Sequence, residues 1–126
     1  MGEWDTGFGW VVINGKRYGH DVIVLPDGSV LRRRKELSKD LRRLFNHTPF
    51  TLREFDYLLR ICGCVPEVLV IGSGQYGDLP VMEEVLRRAE ELGLKVIVKR
   101  TPEALNLLKE MIAKGRLVAG VIHVTC

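Results

Sequence analysis

The chain has little of what marks secreted, membrane or highly charged proteins. It contains three cysteines in 126 residues, and neither their odd number nor their spacing indicates a disulfide framework. No apolar run approaches the ~20 residues that a membrane-spanning helix needs. Met1–Thr6 has neither a basic nor an apolar region, so no signal peptide is predicted. These absences predict a cytoplasmic protein without a membrane partner.

The chain also has few side-chain amides and a small net charge. Gln75 is the only glutamine, whereas Glu, Lys and Arg are abundant, a usage that is typical of thermophile proteins. The net charge of +3 is too small to indicate nucleic-acid binding by itself. A hydrophobic fraction of 46% is ordinary for a globular protein. We therefore expect residues 1–126 to form one domain with a buried core.

The first third of the chain predicts an antiparallel β-meander. Asn14-Gly15 and Pro26-Asp-Gly28 are turn sequences, because glycine and asparagine tolerate a positive φ and proline presets φ. The turns separate three predicted strands, Phe8–Ile13, Tyr18 with Val22–Leu25, and Ser29–Arg33.

The middle of the chain predicts helices. Arg32–His47 is highly charged and has leucines at helical spacing, so a short helix is expected there. Thr51 and Glu54 have the spacing of a capping box. The helix that follows has one apolar face and ends at Gly63; the residues of this face are Leu52, Phe55, Leu58, Leu59 and Cys62.

From Val68 onward, apolar strands alternate with amphipathic helices. Pro80 is predicted in the first turn of one helix, which ends at Gly93, and Thr101-Pro102 should begin the other. The strands are Val68–Ile71, Val96–Val98 and Leu117–Val124. Such alternation indicates a βαβαβ unit with parallel strands. The predicted fold class is α/β, a single compact domain in which an antiparallel meander precedes the βαβαβ unit, with a mixed sheet overall.

The glycine-rich loop Gly72–Gly77 is the best candidate ligand site. It has the G-x-G-x-x-G spacing of a dinucleotide fold, in which amides at a helix start approach pyrophosphate. Pro80 places the helix start after the loop. Lys99 and Arg100 occupy the region where a dinucleotide fold has the acidic residue that binds the ribose. A small-anion site or a purely structural turn are the alternatives. The candidate anion-binding residues are Gly72, Ser73, Gly74, Gly77, Arg100 and His123.

Other reactive residues give weaker indications. His123 and Cys126 resemble a base and a nucleophile, but positions three apart in a strand point to opposite faces. Cys62 and Cys64 could supply two metal ligands, whereas zinc needs four, so no metal or other cofactor is predicted. Cys62 is more simply a core residue.

A basic cluster lies at Arg32–Arg43. With Phe45 or Phe50 for stacking it could contact nucleic acid, which is the weakest of the functional alternatives. Glu36 and Asp40 interrupt the cluster, and a solvated surface of ion pairs explains it better.

Three features together resemble a known family. They are Leu69-Val-Ile-Gly-Ser-Gly74, the helix end Leu92-Gly93 before Lys95–Val98, and the ending His123-Val-Thr-Cys126. The chain resembles the Mth-domain family, which includes the adipogenesis-associated Mth-domain-containing protein and the mitochondrial complex I assembly factor 3. The resemblance implies a compact α/β fold with a mixed sheet and supplies no catalytic residues.

The leading functional hypothesis is a non-catalytic interaction or assembly-type domain. Trp4, Phe8 and Trp10 are more aromatic residues than hairpin packing requires, so they are a candidate contact patch. The partner would be another protein or a second copy of the chain. An enzyme or sensor that binds a small anion or nucleotide at Gly72–Gly77 is the alternative, and the sequence leaves open whether the protein is an enzyme.

Overall fold

A computed structural model of the protein describes residues 2–41 and 48–126. Its strands are β1 (Asp5–Gly7), β2 (Trp10–Ile13), β3 (Lys16–Tyr18), β4 (Val22–Val24), β5 (Val30–Arg32), β6 (Val68–Ser73), β7 (Lys95–Lys99) and β8 (Val118–His123). Its α-helices are α1 (Leu52–Cys62), α2 (Glu83–Leu92) and α3 (Thr101–Ala113), and two short 3-10 helices span Lys35–Leu37 and Lys39–Leu41. The predicted α/β fold class is confirmed.

The N-terminal strands β1, β2 and β3 form a small antiparallel sheet. Asn14 and Gly15 connect β2 to β3 with φ values of 51° and 81°, which confirms the predicted hairpin turn. The predicted second strand divides between β3 and β4. The reason is burial: Val22–Val24 is buried on both faces and therefore belongs in a sheet that is covered on both sides.

The main sheet has five strands in the order β5-β4-β8-β6-β7. β6 runs parallel to both β7 and β8, whereas β4 is antiparallel to β5 and β8, so the sheet is mixed as predicted. The register pairs Ser73 with His123 and Gly72 with Lys99. The carboxyl ends of β6, β7 and β8 therefore meet at one edge of the sheet.

Two apolar clusters cover the two faces of this sheet. α1 and α2 pack on one face, where Phe55, Leu58 and Val85 are completely buried. α3 and the small N-terminal sheet pack on the other face, through Leu108 and Val11 among others. Within the described ranges, no helix is long and apolar enough to cross a membrane.

The helix ends agree in part with the predictions. Gly63 and Gly93 end α1 and α2 in the left-handed conformation, with φ values of 66° and 72°, as predicted. Pro80 lies before its helix rather than in the predicted first turn, because α2 begins only at Glu83. Thr101 is the first residue of α3 rather than its N-cap, because its hydroxyl is bonded to other segments.

The capping-box prediction at Thr51 is wrong, although α1 does begin after this residue. Neither Thr51 nor Glu54 caps the helix through its side chain. Both side chains turn towards the buried Ser38 and Arg33 instead. The helix predicted within Arg32–His47 is replaced by the two 3-10 helices as far as Leu41. The remaining predicted leucine spacing, with Leu44 and Phe45, lies outside the described residues.

Candidate functional site

Four ionisable side chains meet inside the protein. Asp21, Arg33, Glu54 and His123 are only 3%, 2%, 3% and 7% exposed. Ionisable groups are seldom buried so completely unless they are paired, since a lone buried charge is strongly unfavourable. They are the residue before β4, the residue after β5, a residue of helix α1 and the last residue of β8, so the cluster joins distant parts of the chain.

Arg33 is the hub of this cluster. Its Nε and Nη2 donate to the two carboxylate oxygens of Glu54, at 2.7 and 2.8 Å, in a bidentate pair. Its Nη1 donates to Asp21 Oδ2 at 3.0 Å, and Nη2 also donates to the carbonyls of Thr48 and Pro49. Burial alone would lower the pKa of Arg33, but the two carboxylates raise it instead.

Asp21 connects this hub to the last strand. Its Oδ2 lies 2.8 Å from Nδ1 of His123, and its Oδ1 accepts the amide of Val124 at 2.9 Å. Burial alone would raise the pKa of the Asp21 carboxyl, whereas the hydrogen bond and charge of His123 lower it. With the Val124 amide and the charge of Arg33 added, the pKa of this carboxyl lies well below its usual range.

Hydroxyl groups extend the network towards α1. Ser38 donates to Glu54 Oε2 at 2.7 Å, and its oxygen lies 2.6 Å from that of Thr51. In the part of the chain that the structure describes, every buried side-chain nitrogen and oxygen has a partner. A fully satisfied network of this kind fixes the positions of the segments that supply it.

The side chains of Asp21, His123 and Thr125 are arranged like an orienting acid, a base and a nucleophilic hydroxyl. Thr125 Oγ1 is 3.3 Å from Nε2 of His123. Acyl-transfer chemistry also needs free donors for an oxyanion. The neighbouring amides do not supply them, because Gly74 donates to Thr101 Oγ1 and Gln75 donates to the carbonyl of Thr125. The arrangement holds the C-terminal strand and offers no preformed oxyanion hole at these two amides.

The glycine loop uses its amides within the protein. Besides Gly74 and Gln75, the amides of Gly77, Asp78 and Leu79 donate to the carbonyls of Gly74, Cys126 and Ser73, respectively. Ser73 donates its hydroxyl to the carbonyl of Lys99 at 3.0 Å. A dinucleotide fold leaves such amides free for phosphate. Here they tie the loop to the C-terminal residues.

Gly74 has a steric reason to be glycine. Its φ is 103°, and a Cβ at this position would clash with the backbone of Cys126 and approach His123 Cδ2 to 2.9 Å. Thr101 Oγ1 accepts the Gly74 amide and donates to the carbonyl of His123. The loop glycine therefore permits close packing of three segments, in agreement with the alternative of a structural turn.

The predicted site residues come together only in part. His123 lies beside Gly74 but is buried, with its ring nitrogens facing Asp21 and Thr125. Arg100 is exposed, and its Cγ would lie 3.5 Å from a Cβ built on Gly77. Gly72 and Ser73 are buried within β6. Arg100 is thus the charged member of the predicted set that solvent reaches, and anion binding stays a prediction.

A cavity of about 280 Å³ lies away from this loop. It is lined by residues of the two 3-10 helices, the start of α1 and the start of α2, namely Leu37, Asp40, Thr51, Leu52, Arg53 and Glu84. None of the predicted anion-binding residues lines it.

An exposed aromatic pair stands where the glycine loop meets the N-terminal hairpin. Phe8 is 57% exposed and Tyr76 is 63% exposed, and their ring centroids are 6.0 Å apart. Trp10, also in the predicted aromatic patch, is half-buried beneath Arg17, whose guanidinium lies 4.6 Å from the ring centroid. Trp4 packs against the core. Of the three predicted patch residues, Phe8 is the exposed one, and its companion is Tyr76.

The predicted basic cluster is divided between interior and surface. Arg33 is buried in the network and cannot reach phosphates. Arg34 lies over Tyr57, 5.1 Å from its ring centroid, and pairs with Glu36 at 2.8 Å. Arg42 and Arg43 lie outside the described residues. Nucleic-acid binding stays an untested prediction, with Arg33 removed from its candidate contacts.

The cysteines differ from the prediction in one respect. Cys62 packs against the core as expected, but its sulfur is bonded to that of Cys64. Gly63 is responsible, because its left-handed turn folds the chain back and brings the neighbouring side chains together. Cys126 is a free thiol. Among the described residues, no group of three or more His, Cys, Asp or Glu could hold a metal ion.

Comparison with known proteins agrees with this fold. The family model described as protein of unknown function (DUF498/DUF598) matches residues 4–123. The chain belongs to this family. The conserved hypothetical protein PH1505 from Pyrococcus horikoshii OT3 is similar to this DUF498/DUF598 member at 33% identity, over 98% of this chain and 99% of its own, with a TM-score of 0.83.

Two further structures connect the DUF498/DUF598 family to the predicted resemblance. MT938 is 36% identical over 97% of this chain and 96% of its own, with a TM-score of 0.76. A protein of Bordetella pertussis, described as a Mth938-like domain, is 20% identical over 94% of this chain and 82% of its own, with a TM-score of 0.57, and shows the fold alone. The resemblance to the Mth-domain family is confirmed. No curated protein matches the chain.

The sequence did contain one signal for the buried network. Glu54 stands on the apolar face of α1, next to Phe55 and one turn before Leu58, where a charged residue needs a buried partner. Asp21 and Arg33 gave no comparable signal, because each lies at the end of a strand, where a charged residue is normally exposed.

Proposed function

We propose that this protein is a non-catalytic interaction domain that binds a partner protein through the aromatic pair of Phe8 and Tyr76. The main support for this proposal is that both rings are more than half exposed to solvent and yet contact each other. Aromatic side chains are enriched at the energetic centres of interfaces, because they bury a large area with few rotatable bonds. Two adjoining rings on the surface are therefore a candidate binding centre.

The turns that carry the two rings are anchored. The amide of Gly9 donates to the carbonyl of Val124 at 2.8 Å. The side-chain amide of Gln75 donates to Thr6 Oγ1 and to the carbonyl of Gly7, both at 3.1 Å, and so joins the glycine loop to the hairpin. A surface that is ordered before binding loses less conformational entropy when the complex forms. This anchoring supports a recognition role for the pair.

The charges beside the pair favour a partner with acidic groups around an apolar centre. Lys99, at the carboxyl end of β7, and Arg100, which follows it, are exposed. Asp78, next to the glycine loop, is an exposed acidic residue. Charge complementarity of this kind mainly raises the association rate and the specificity.

A cytoplasmic location remains part of the proposal, on the sequence argument of few cysteines. The resemblance to a group that includes an assembly factor also supports a binding role.

Affinity capture with site variants tests the proposal. The immobilised wild-type protein, the double variant F8A/Y76A and the control L117A would be incubated with native lysate of the source organism. Leu117 is a suitable control, because it is 41% exposed but precedes β8 at the opposite edge of the sheet. We expect a protein that binds the wild type and L117A and is lost with the double variant. Equal recovery by all three proteins, with circular dichroism showing that all are folded, would contradict the proposal.

Binding of a small anion or nucleotide is the second candidate function. Its supporting observation is the exposed Arg100 beside Gly77. Inorganic phosphate and nucleotides should then raise the melting temperature of the wild type but not of R100A. A melting temperature that none of these compounds changes would remove this candidate.

A further inference from the structure

The end of α1 carries two cysteines whose sulfur atoms are bonded to each other. Cys62 is the last residue of the helix, and Cys64 follows Gly63, the left-handed residue that ends it. We propose that Cys62 and Cys64 are a redox-active pair, which cycles between a dithiol and a disulfide by exchange with a low-molecular-weight thiol–disulfide couple.

The backbone keeps the two thiols together in either state. The Cα atoms are 5.2 Å apart, within the range of about 4.4–6.8 Å that disulfides require. Gly63 donates its amide to the carbonyl of Leu59 at 3.0 Å, and this helix-ending bond does not depend on the sulfurs. Opening and closing the disulfide therefore needs no rearrangement of the helix.

The pair is accessible to small thiols. Cys62 and Cys64 are both half-buried, and Gly63 between them is exposed. A Cβ built on Gly63 would meet no atom within 4 Å, so the space in front of the turn is open. Exchange requires an attacking thiolate to reach a sulfur, and both cysteines are partly exposed to solvent at this turn.

A purely structural role explains the pair less well. A disulfide stabilises a fold mainly by restricting the unfolded chain, and this restriction grows with the length of the closed loop. Cys62 and Cys64 are separated by two positions, so the disulfide closes one of the shortest loops that a chain can form. Packing of Phe55 and Leu58 already holds α1 on the sheet.

The proposed exchange is balanced in atoms and electrons. The thiolate of one cysteine attacks a small disulfide, forms a mixed disulfide and releases the first small thiolate. The second cysteine then attacks the sulfur of its neighbour and releases the second small thiolate. Two electrons pass from the cysteine pair to the small disulfide, and the two protons of the cysteine thiols pass to the released thiolates. A reduced small thiol reverses both steps.

Glutathione buffers and thiol trapping test the proposal. The protein would be equilibrated at graded ratios of reduced to oxidised glutathione, quenched with acid, alkylated and mapped by mass spectrometry. We expect Cys62 and Cys64 to lose alkylation together, with loss of two hydrogen atoms in mass, and to regain it when reduced glutathione is restored. C126S should show the same transition, whereas C62S and C64S should not.

Three outcomes would overturn the proposal. The pair could remain alkylated at every ratio, form only mixed disulfides with glutathione, or stay oxidised at every ratio in the folded protein. Circular dichroism of the C62S/C64S double variant, which should be folded, separates loss of exchange from loss of structure.

Discussion

Asp21 and His123 are 102 positions apart in the chain, and their side chains are joined at 2.8 Å between Oδ2 and Nδ1. Antiparallel pairing of β4 with β8 sets this contact. The register places Val22 opposite Ile122, so Asp21, one position before Val22, faces His123, one position after Ile122. Arg33 continues the connection to Glu54 on α1. One buried network therefore ties the β4–β5 hairpin, the first helix and the last strand together.

Neutralising Asp21 should destabilise the protein strongly. D21N keeps the size of the side chain but leaves the buried Arg33 with one carboxylate fewer. Removal of one partner from a buried ion pair lowers the free energy of unfolding by about 3–5 kcal/mol, and urea denaturation would measure it. E36Q is the control, since Glu36 forms an exposed pair with Arg34 that water already solvates. Equal midpoints for D21N and the wild type would show that the network does not stabilise the fold.

Asp21 should also give the protein an acid-sensitive stability. Its pKa is lower in the folded state than the ordinary value of 3.8, so below that value the unfolded chain binds the proton more readily. The stabilisation is complete well above pH 3.8 and is lost as the pH falls towards the folded-state pKa. Urea midpoints measured between about pH 6 and pH 2 should fall more steeply for the wild type than for D21N. The exposed Asp27 and Glu36, whose pKa values are also lowered, are present in both proteins, so their contributions to the pH dependence cancel in the comparison. Parallel curves would contradict the prediction.

The fold was predictable where local chemistry decides it. Asn14-Gly15 and Gly93 produce the predicted turn and helix end, because a positive φ is a local property. Thr51 and Glu54 show where this reasoning ends. Their spacing is that of a capping box, but the buried Arg33, far away in the chain, takes the Glu54 carboxylate.

The candidate site depended more on tertiary structure than the fold did. The spacing of the glycine loop predicts a candidate site, yet whether its amides are free depends on Thr101 and the C-terminal residues that accept them. The contact of Phe8 with Tyr76 joins a hairpin turn to a loop far along the chain, and no local pattern indicates it.

Thr101 should stabilise the loop through its hydroxyl. T101V preserves the shape of the side chain but removes the acceptor of the Gly74 amide and the donor to the His123 carbonyl. Leaving buried groups without a partner lowers the free energy of unfolding by about 1–3 kcal/mol each. T101S retains the hydroxyl and should keep most of the stability in chemical denaturation. Wild-type stability of T101V would show that the hydroxyl does not stabilise the loop.

Gly74 should tolerate alanine poorly. G74A places a Cβ against Cys126 and His123 and also requires a positive φ. G77A shares the positive φ but meets its neighbours at 3.5 Å or more, so it isolates the backbone effect of about 1–2 kcal/mol. The clash should add about 1–3 kcal/mol for G74A in chemical denaturation. G19A, at an open position, should be neutral. Equal stability of G74A and G77A would show that the C-terminal residues do not pack against the loop.

The affinity of the captured partner for single variants tests the interaction proposal most directly. Calorimetric titration of the purified partner into wild type, F8A, Y76A and L117A would give four dissociation constants. We expect F8A and Y76A each to raise the Kd by about tenfold or more, as truncation of a binding centre does, while L117A stays at the wild-type value. Equal dissociation constants for all four folded proteins would contradict the assignment of the Phe8–Tyr76 pair as the binding surface.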